Sequence, residues 1–427
     1  MTDLAYDDDM DEPDDRRMPV ISPEVRPVPR ISIQAFCDSP ELVAAIQSAS
    51  ADRRMSRAHV KVQTGGITAA AEFYQGAATP NLIVVESRLT RERLEAELDR
   101  LAEVCDAGTK VVVIGHVNDV DLYRGLIQRG VSEYLVAPVS LSGFIKTVAD
   151  LYVEKNTQPL GRTIAFIGGK GGVGSSMVAH NVAWSIARRF DNDVLIADLD
   201  LAFGTAGLDF NQDPAQGIAE AVSAPDRLDD NFLDRLLARC SDHLSLLAAP
   251  ATLDRTYDFR DDAFEQVIDI AQAGVPTVIL DVPHAWNGWI KKTIVSADEV
   301  VITVEPDLAN LRNAKNMIDL LRAARANDHP PRLVINKAGI ARRPEIKVDD
   351  FATAVNLKPI AVIPFDAHLF GTAANNGQMI AETDAKSPVA ESFDLIARTV
   401  TGRNEVRRPK RSGFAGLFSR SRGKKRA

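Results

Sequence analysis

Short apolar runs alternate with segments of helical periodicity through the first third of the chain. Between residues 31 and 154, five runs have the length and β-branched content of buried strands, and an amphipathic segment follows each one. The predicted strands are Ile31–Phe36, Val60–Gln63, Leu82–Val85, Val111–Ile114 and Tyr134–Val136, and the predicted helices span residues 40–49, 67–76, 90–106, 119–129 and 141–153. Five repeats of this kind predict an α/β domain with an open parallel sheet.

The same alternation resumes after residue 161, and here apolar runs end in acidic residues. Val194–Asp200 ends in two carboxylates, and Val278–Asp281 has the form of a Walker B strand, whose final acid orients Mg²⁺ through water. Because side chains alternate along a strand, Asp198 and Asp200 are expected on one face. An aspartate in this place often only caps the next helix. Repeated acidic strand ends instead favour a ligand site, since open parallel sheets bind ligands at the carboxyl ends of their strands.

A glycine-rich loop, Gly-Gly-Lys-Gly-Gly-Val-Gly-Ser-Ser, joins the predicted strand Thr163–Ile167 to the predicted helix Ser175–Phe190. In the phosphate-binding pattern G-x-x-x-x-G-K-[ST], Ser175 stands where the lysine belongs, and Lys170 is an additional lysine near the start. Such loops bind phosphate through amides at a helix N-terminus, and Ser176 can ligate Mg²⁺. The candidate nucleotide contacts in the loop are Gly169, Lys170, Gly171, Gly172, Val173, Gly174, Ser175 and Ser176.

The length of the chain and the distribution of its charge predict a charged tail at each end. With 427 residues the chain exceeds one ordinary domain, and its net charge of −9 conceals an acidic start and a basic end. Three scattered cysteines indicate a reducing cytosol, and no apolar run approaches the roughly 18 residues of a membrane span. We therefore predict a cytoplasmic protein with this division: an acidic, proline-containing disordered tail at 1–30, a first domain at 31–154, a linker at 155–161, a second domain at 162–402 and a basic tail at 403–427.

The basic tail contains a short amphipathic segment. Phe414, Leu417 and Phe418 have the i, i+3, i+4 spacing of one helical face, and Lys and Arg flank them. Such a segment can lie on an anionic bilayer, where each nearby cation adds about 1 kcal/mol. A tail that binds other polyanions and a merely solvated tail stay open, since Gly413 and Gly416 disfavour a helix.

Five segments of the second domain together resemble the MinD/ParA family of ATPases, whose phosphate loop is a deviant Walker A motif. They are Lys170-Gly-Gly-Val-Gly, Asp198-Leu-Asp200, Asp281-Val-Pro283, Val334-Ile-Asn-Lys337 and Ile363-Pro-Phe-Asp366, and the resemblance covers roughly residues 161–400. It implies a second doubly wound sheet and a homodimer that encloses ATP and Mg²⁺ between its subunits. The implied roles are contact with the phosphates of the other subunit for Lys170, alignment of the attacking water for Asp200, Mg²⁺ binding for Ser176, Asp198 and Asp281, adenine recognition for Asn336, and nucleotide contact for Pro364.

Ser175 is a departure from this family pattern. The lysine that it replaces normally neutralises the β- and γ-phosphates from within the same subunit. A charge-assisted hydrogen bond contributes about 1.5–3 kcal/mol, so its loss lowers ATP affinity about ten- to a hundred-fold. We therefore expect ATP to bind and hydrolysis to be slow or dependent on another protein. Whether the chain is an enzyme at all stays open at this point.

The first domain is similar to the receiver domains of response regulators, which have a flavodoxin-like fold. Glu86 ends the third strand, where a receiver has its phosphoacceptor aspartate, and Ala137-Pro138 stands where a receiver has Lys-Pro. Near the first strand, only Asp38 remains of the usual acidic pair. We therefore predict a degenerate receiver-like domain used for binding. Its Glu86 is either a solvated strand end or a mimic of a phosphorylated aspartate.

The whole layout resembles the CpaE/TadZ proteins of Flp/Tad pilus assembly. This resemblance implies an ATP-dependent localisation and assembly factor, often at a cell pole and peripheral on the inner membrane through its tail. The implied partners are proteins of the pilus and secretion machinery, including a secretion ATPase. Nucleic acid is not an expected partner.

Other functions fit parts of the sequence. A ParA-like partitioning ATPase would bind DNA, but Arg342-Arg343 is a modest basic patch among mixed charges. A scaffold that kept the ATPase fold without hydrolysis stays open. A phosphorylation-driven regulator lacks the receiver groups, and an electron-donating reductase needs cluster cysteines near the nucleotide. Trp286 and Trp289 follow the Walker B strand and form either a partner-binding surface or part of the core, and we favour core packing.

Overall fold

The computed structural model describes residues 25–152 and 160–402, which form two α/β domains. Most of the predicted linker and both charged tails lie outside these ranges, so the domain limits stay a prediction. Within the described ranges, no helix combines the length and the apolar character that a bilayer crossing requires. The residues of the predicted membrane-binding face also lie outside the described ranges: Phe414, Leu417 and Phe418.

The first domain is a five-stranded parallel sheet in the order β2-β1-β3-β4-β5. Its strands are β1 Ser32–Cys37, β2 His59–Thr64, β3 Leu82–Glu86, β4 Lys110–Gly115 and β5 Glu133–Val136. Its helices are α1 Pro40–Ser50, α2 Gly66–Phe73, α3 Arg91–Ala102, α4 Val120–Gln128 and α5 Leu141–Leu151. Along β3, Leu82 and Val84 pack on one face of the sheet and Ile83 and Val85 on the other. Both faces are therefore covered, and the predicted flavodoxin-like order is confirmed.

The second domain is an eight-stranded sheet in the order β13-β12-β11-β6-β10-β7-β9-β8. Its strands are β6 Arg162–Gly168, β7 Val194–Asp198, β8 Ala238–Ser241, β9 Leu244–Leu247, β10 Thr277–Val282, β11 Glu299–Val304, β12 Arg332–Ala338 and β13 Pro359–Pro364. Its helices are α6 Ser175–Phe190, α7 Ala206–Asp209, α8 Ile218–Ser223, α9 Asp230–Leu236, α10 Glu265–Gly274, α11 Gly288–Ser296, α12 Leu308–Ala324, α13 Val348–Val355, α14 Ala367–Asn376, α15 Ile380–Thr383 and α16 Pro388–Thr401. Apolar clusters cover both faces, as in a doubly wound fold.

Two local features of the second sheet differ from the sequence-based expectation. The edge strand β8 runs antiparallel to β9, so this sheet is mixed rather than wholly parallel. The strand β7 ends at Asp198, two residues earlier than expected. It ends there because the Asp198 carboxylate accepts the amides of Asp200 and Ala206, at 3.2 Å each, and turns the chain away from the sheet.

An arginine-rich turn attaches the first domain to the second, and we call this the arginine contact. Arg53 and Arg54 each donate to Asp328 at 2.5 Å, and Arg325 donates to the same carboxylate at 3.0 Å. Arg53 also donates to Asp298 at 3.3 Å. The four side chains around Asp328, its own included, are at most 6% exposed. Asp298 directly precedes β11, so the arginine contact lies at the end of the sheet opposite to the phosphate loop.

Candidate nucleotide-binding site

The phosphate loop joins β6 to α6, and the surrounding segments fix its shape through its carbonyl oxygens. His284 Nδ1 lies 3.0 Å from the Gly168 carbonyl, and Asn313 donates to the Gly169 carbonyl at 2.9 Å. Further donors to the loop are the side chains of Lys337, to the Gly172 carbonyl at 2.5 Å, and Asn336, to the Val173 carbonyl at 2.8 Å. Gly174 has a φ of 85°, and a Cβ there would lie 2.7 Å from Asn336 Nδ2, so both conformation and space require glycine.

The backbone amides of the loop provide the donors that a phosphate needs. Those of Gly172, Gly174, Ser175 and Ser176 donate to no group in the described part of the chain. The Ser175 hydroxyl is buried and likewise has no described partner. Unpaired donors at the start of a sixteen-residue helix form an anion site, to which the helix dipole adds a favourable field. The loop therefore fits a nucleotide phosphate.

Two buried aspartates lie side by side next to this loop. Asp198 on β7 and Asp281 on β10 are opposite each other in the parallel register, and they are 0% and 2% exposed. Burial, together with the charge of Asp281, raises the pKa of Asp198 to about 7. Ser176 donates its hydroxyl to Asp281 Oδ1 at 3.2 Å. A cation at this position would relieve the repulsion between the two carboxylates.

The oxygen ligands present suit Mg²⁺. Among the described residues, no group of three His, Cys, Asp or Glu side chains could hold a metal by itself. Mg²⁺ in nucleotide sites is usually bound by one or two protein oxygens, with water and phosphate oxygens completing its shell. Ser176 and the two aspartates fit that mode of binding.

Asp200 lies in the turn after β7 rather than on the strand face. Its carboxylate accepts the Phe203 amide at 3.1 Å, and the side chain is partly exposed. Burial and then the nearby Asp281 charge raise its pKa, against the hydrogen bond from Phe203. Its assignment as the residue that aligns water stays a prediction.

Lys170 points away from the loop toward the start of α12. Its Nζ lies 3.4 Å from Asp307 Oδ2, while Asp307 Oδ1 caps α12 by accepting the Asn310 amide at 2.8 Å. The Lys170 side chain is 49% exposed. Because exposed ion pairs are weak, a stronger anion can draw this lysine away.

Comparison with known proteins identifies the second domain. Residues 161–330 match the family model described as an AAA domain, AAA_31. The septum site-determining protein MinD of Helicobacter pylori is 24% identical over 269 residues, which are 61% of this chain and 97% of that protein. The solved structure of a ParA family ATPase from Chlorobium tepidum is 25% identical, covers 56% of this chain and 98% of its own, and has a TM-score of 0.51. The second domain belongs to the MinD/ParA family of P-loop ATPases.

A different protein resembles the first domain. The solved structure of a pilus assembly protein CpaE from Caulobacter crescentus is 51% identical to the N-terminal part of this chain. It covers 30% of this chain and 98% of its own, with a TM-score of 0.30.

Two further residues expected to contact nucleotide lie at neighbouring strand ends of the MinD/ParA domain. Asn336 is 3% exposed, and its amide group is engaged by the phosphate loop and by the Lys337 amide. Pro364 ends β13 and is exposed. Their roles in adenine recognition and nucleotide contact stay predictions.

A buried histidine in the MinD/ParA domain was not singled out by the sequence analysis. His180 on α6 is fully buried; its Nδ1 lies 2.7 Å from Asp209 Oδ2, and its Nε2 lies 3.2 Å from Asp281 Oδ2. The contact with Asp281 is an ion pair that is not aligned as a hydrogen bond. Burial alone would lower the pKa of His180, but the two carboxylates outweigh it and raise the pKa to about 10. The polar pair His180-Asn181 within an apolar helix stretch was the available sequence signal.

In the first domain, Glu86 lies where a receiver has its phosphoacceptor, but it is not a solvated strand end. Its side chain is fully buried, and it accepts the amides of Asp38 and Ser39 at 2.8 Å each and the Ser39 hydroxyl at 2.7 Å. The two amides bind Oε2, whereas the Ser39 hydroxyl binds Oε1, from which His116 Nε2 lies 2.9 Å. Burial would raise its pKa, but the hydrogen bonds, foremost those from Ser39, lower it to about 2. Glu86 therefore holds the loop after β1 in place.

The two tryptophans after the Walker B strand have different environments. Trp289 is 7% exposed and packs against Phe264, with ring centres 4.6 Å apart. Trp286 is 53% exposed and borders a 390 Å³ surface cavity next to Gly169. Core packing, expected for both, thus applies to Trp289 alone.

Proposed function

We propose that this protein binds Mg²⁺-ATP in its MinD/ParA domain and acts as a nucleotide-dependent assembly factor for a pilus machinery. The observation that carries the proposal is the phosphate loop, in which the amides of Gly172, Gly174, Ser175 and Ser176 have no partner among the described residues and lie beside the paired carboxylates of Asp198 and Asp281. Mg²⁺, when bound, neutralises charge on the β- and γ-phosphates. The protein residues orient the phosphates, and Ser176 and Asp281 hold the metal side.

Lys170 supports a homodimer as the active form. The lysine that would act within its own subunit is absent, since Ser175 occupies that position. Lys170 extends outward from the loop, and among the described residues its side chain is held by a half-exposed contact with Asp307. Two subunits that face each other across the nucleotides would let each Lys170 exchange this aspartate for phosphate oxygens of the opposite site. ATP would thereby favour dimerisation.

Slow hydrolysis follows from the same arrangement. Charge stabilisation accounts for most of phosphoryl-transfer catalysis. With Ser175 in the loop, that charge comes from Lys170 of the second subunit or from another protein. Asp200, beside the two buried aspartates, is the candidate for aligning water. A scaffold that binds ATP without hydrolysing it is the second candidate, and the uncharged Ser175 favours it.

The first domain supports the link to pilus assembly. Its 51% identity with a protein described as a pilus assembly protein CpaE extends over 98% of that structure's chain. Both oxygens of Glu86 are occupied by internal donors, which suits a binding module that does not receive phosphate. The partners we propose are pilus and secretion proteins, including a secretion ATPase, and the location we propose is a cell pole.

Calorimetry with Mg²⁺-ATP tests the nucleotide site. We expect micromolar binding by the wild type, about tenfold weaker binding by Lys170→Ala and about tenfold tighter binding by Ser175→Lys, because each change removes or adds one charge at the phosphates. Lys315→Ala is the matched control, since Lys315 is an exposed lysine on α12 paired with Asp319. Absence of binding by the wild type would leave only a scaffold function.

Flotation with anionic liposomes tests peripheral membrane binding by the tail. The full chain is compared with a chain that ends at Arg403 and with a variant in which Phe414, Leu417 and Phe418 are changed to Ser. We expect only the unaltered full-length protein to float with the liposomes, because membrane binding needs both the apolar side chains and the basic charges of the tail. Equal recovery of all three chains would contradict a membrane role of the tail.

A further inference from the structure

We propose that His180 is a positioning residue that couples the occupancy of the Mg²⁺-ATP site to the conformation of the α7 segment, residues 202–213. This inference rests on the nucleotide site proposed above. It assigns a function to a buried side chain for which the sequence analysis predicted no role. The argument follows the contacts outward from the site to the protein surface.

The first contact joins the metal side of the site to α6. His180 lies four residues after Ser176, so both side chains are on the same face of the helix. Ser176 binds Asp281 Oδ1 at 3.2 Å, and His180 lies 3.2 Å from Asp281 Oδ2. One oxygen of Asp281 thus contacts Ser176, which would bind Mg²⁺, and the other contacts His180, which would not. Any movement of Asp281 toward a metal ion changes its distance to His180.

The second contact joins His180 to α7. Its Nδ1 lies 2.7 Å from Oδ2 of Asp209, the last residue of that four-residue helix. The start of α7 is held by Asp198 Oδ2, which accepts the Ala206 amide at 3.2 Å. The α7 segment is therefore tied to each of the paired aspartates, to Asp198 directly and to Asp281 through His180.

The α7 segment forms part of the surface that another molecule would meet. Phe203 and Leu208 are both 73% exposed, and the segment lines a 580 Å³ surface cavity together with residues 248–251. A Cβ at Gly204 would lie 2.3 Å from Asp198 Oδ2, so the segment passes directly over the buried carboxylate. A shift of either aspartate must therefore move the exposed apolar residues.

Hydrogen exchange of the full chain, with and without Mg²⁺-ATP, tests the coupling. In the wild type we expect ATP to slow exchange about tenfold both in the phosphate loop, residues 169–177, and in residues 203–212. In Asp209→Ala and His180→Gln we expect the loop to keep its protection and residues 203–212 to lose it. His243→Gln is the matched control, because His243 makes a similar 2.8 Å contact with Asp193 away from the site.

The outcomes separate this inference from the function on which it rests. Lack of loop protection in the wild type would refute the nucleotide site. Loop protection without a change at residues 203–212, or a change that persists in both variants, would refute the coupling alone. Should His180→Gln fail to fold, Asp209→Ala still decides, because Asp209 lies on a short helix near the surface and the chain keeps His180.

Discussion

The two domains place a carboxylate at the same kind of position and treat it in opposite ways. Glu86 and Asp198 both end a strand of an α/β sheet and are both fully buried. Three protein donors and His116 surround Glu86, and its pKa falls to about 2. Asp198 accepts two backbone amides, but it faces a second carboxylate, and its pKa rises to about 7.

This difference distinguishes a carboxylate with a structural role from one with a ligand-binding role. Donors from the protein complete the shell of Glu86, so an ion or phosphate has nothing to add there. His180 offsets part of the repulsion between Asp198 and Asp281, and a metal cation would stabilise the pair further. In this chain, strand-end acids indicate a ligand site only where a second acid lies beside them.

The largest expected effect comes from removing the charge of Glu86. Glu86→Gln should lower the free energy of unfolding of the first domain by about 3 kcal/mol, because buried donors lose a charged acceptor. The three tryptophans, at 184, 286 and 289, all lie in the second domain, so their fluorescence reports that domain alone. We expect urea unfolding by circular dichroism to gain an earlier phase while the tryptophan transition stays in place.

A matched substitution controls for the general effect of losing an acid in this domain. Glu97→Gln removes a partly exposed glutamate that pairs with the exposed Arg100 on α3. It should change stability by less than about 0.5 kcal/mol. Equal destabilisation by the two variants would contradict a structural role for Glu86.

The corresponding change in the second domain should affect ligand binding rather than folding. Asp281→Asn should weaken Mg²⁺-dependent ATP binding about 10–100-fold, because it removes charge from the metal side. Its free energy of unfolding should change by less than about 1 kcal/mol, since lost repulsion with Asp198 offsets the weaker contact with His180. Calorimetry with and without EDTA and tryptophan-detected unfolding measure the two quantities. A large loss of stability with unchanged ATP binding would mean that Asp281 has a structural role, as proposed for Glu86, and not a ligand-binding one.

The pH dependence of stability should also differ between the domains. Glu86, lowered from 4.5 to about 2, adds stability that is present above pH 4.5 and is lost as the pH falls through 2. Asp198, raised from 3.8 to about 7, adds stability that is present below pH 3.8 and is lost as the pH rises through 7. From pH 4 to 8, the free energy of unfolding measured by thermal unfolding should therefore contain a contribution from Asp198 that falls as the pH rises. The Asp198→Asn variant should lack this contribution. An unchanged slope in that variant would exclude Asp198 as its source.

The smallest effect is expected at an exposed carboxylate. Asp307→Asn should increase ATP-driven dimerisation about twofold, because a half-exposed ion pair with Lys170 contributes only about 0.5 kcal/mol. Sedimentation with and without Mg²⁺-ATP measures this, with Asp319→Asn, which removes a comparable exposed pair on α12, as the control. An increase above tenfold would mean that Asp307 restrains Lys170 far more strongly than its exposure suggests.

The regular parts of both domains were predictable because their periodicity is local. The helix Ser175–Phe190 was predicted with its observed limits, and the flavodoxin-like sheet of the first domain was expected from five β/α repeats and the resemblance to receiver domains. The short strands β8 and β9 and the four-residue helix α7 are too brief for any period to show.

The chemistry of the site was predictable only where a motif reports it. The phosphate loop and the acidic strand ends were visible in the sequence. The link from His180 to Asp209 depends on residues 29 apart, and the shell of Glu86 on donors 30 to 48 apart. Such contacts arise from tertiary packing, so the burial of Glu86 and the position of His180 required the structure.

The arginine contact has a mechanical consequence. Arg53 enters the second domain at Asp298, and the Thr163 amide near the start of β6 donates to the same side chain at 2.9 Å. The other end of β6 is the phosphate loop. A pulling force on the first domain would therefore be transmitted along β6 to the phosphate loop.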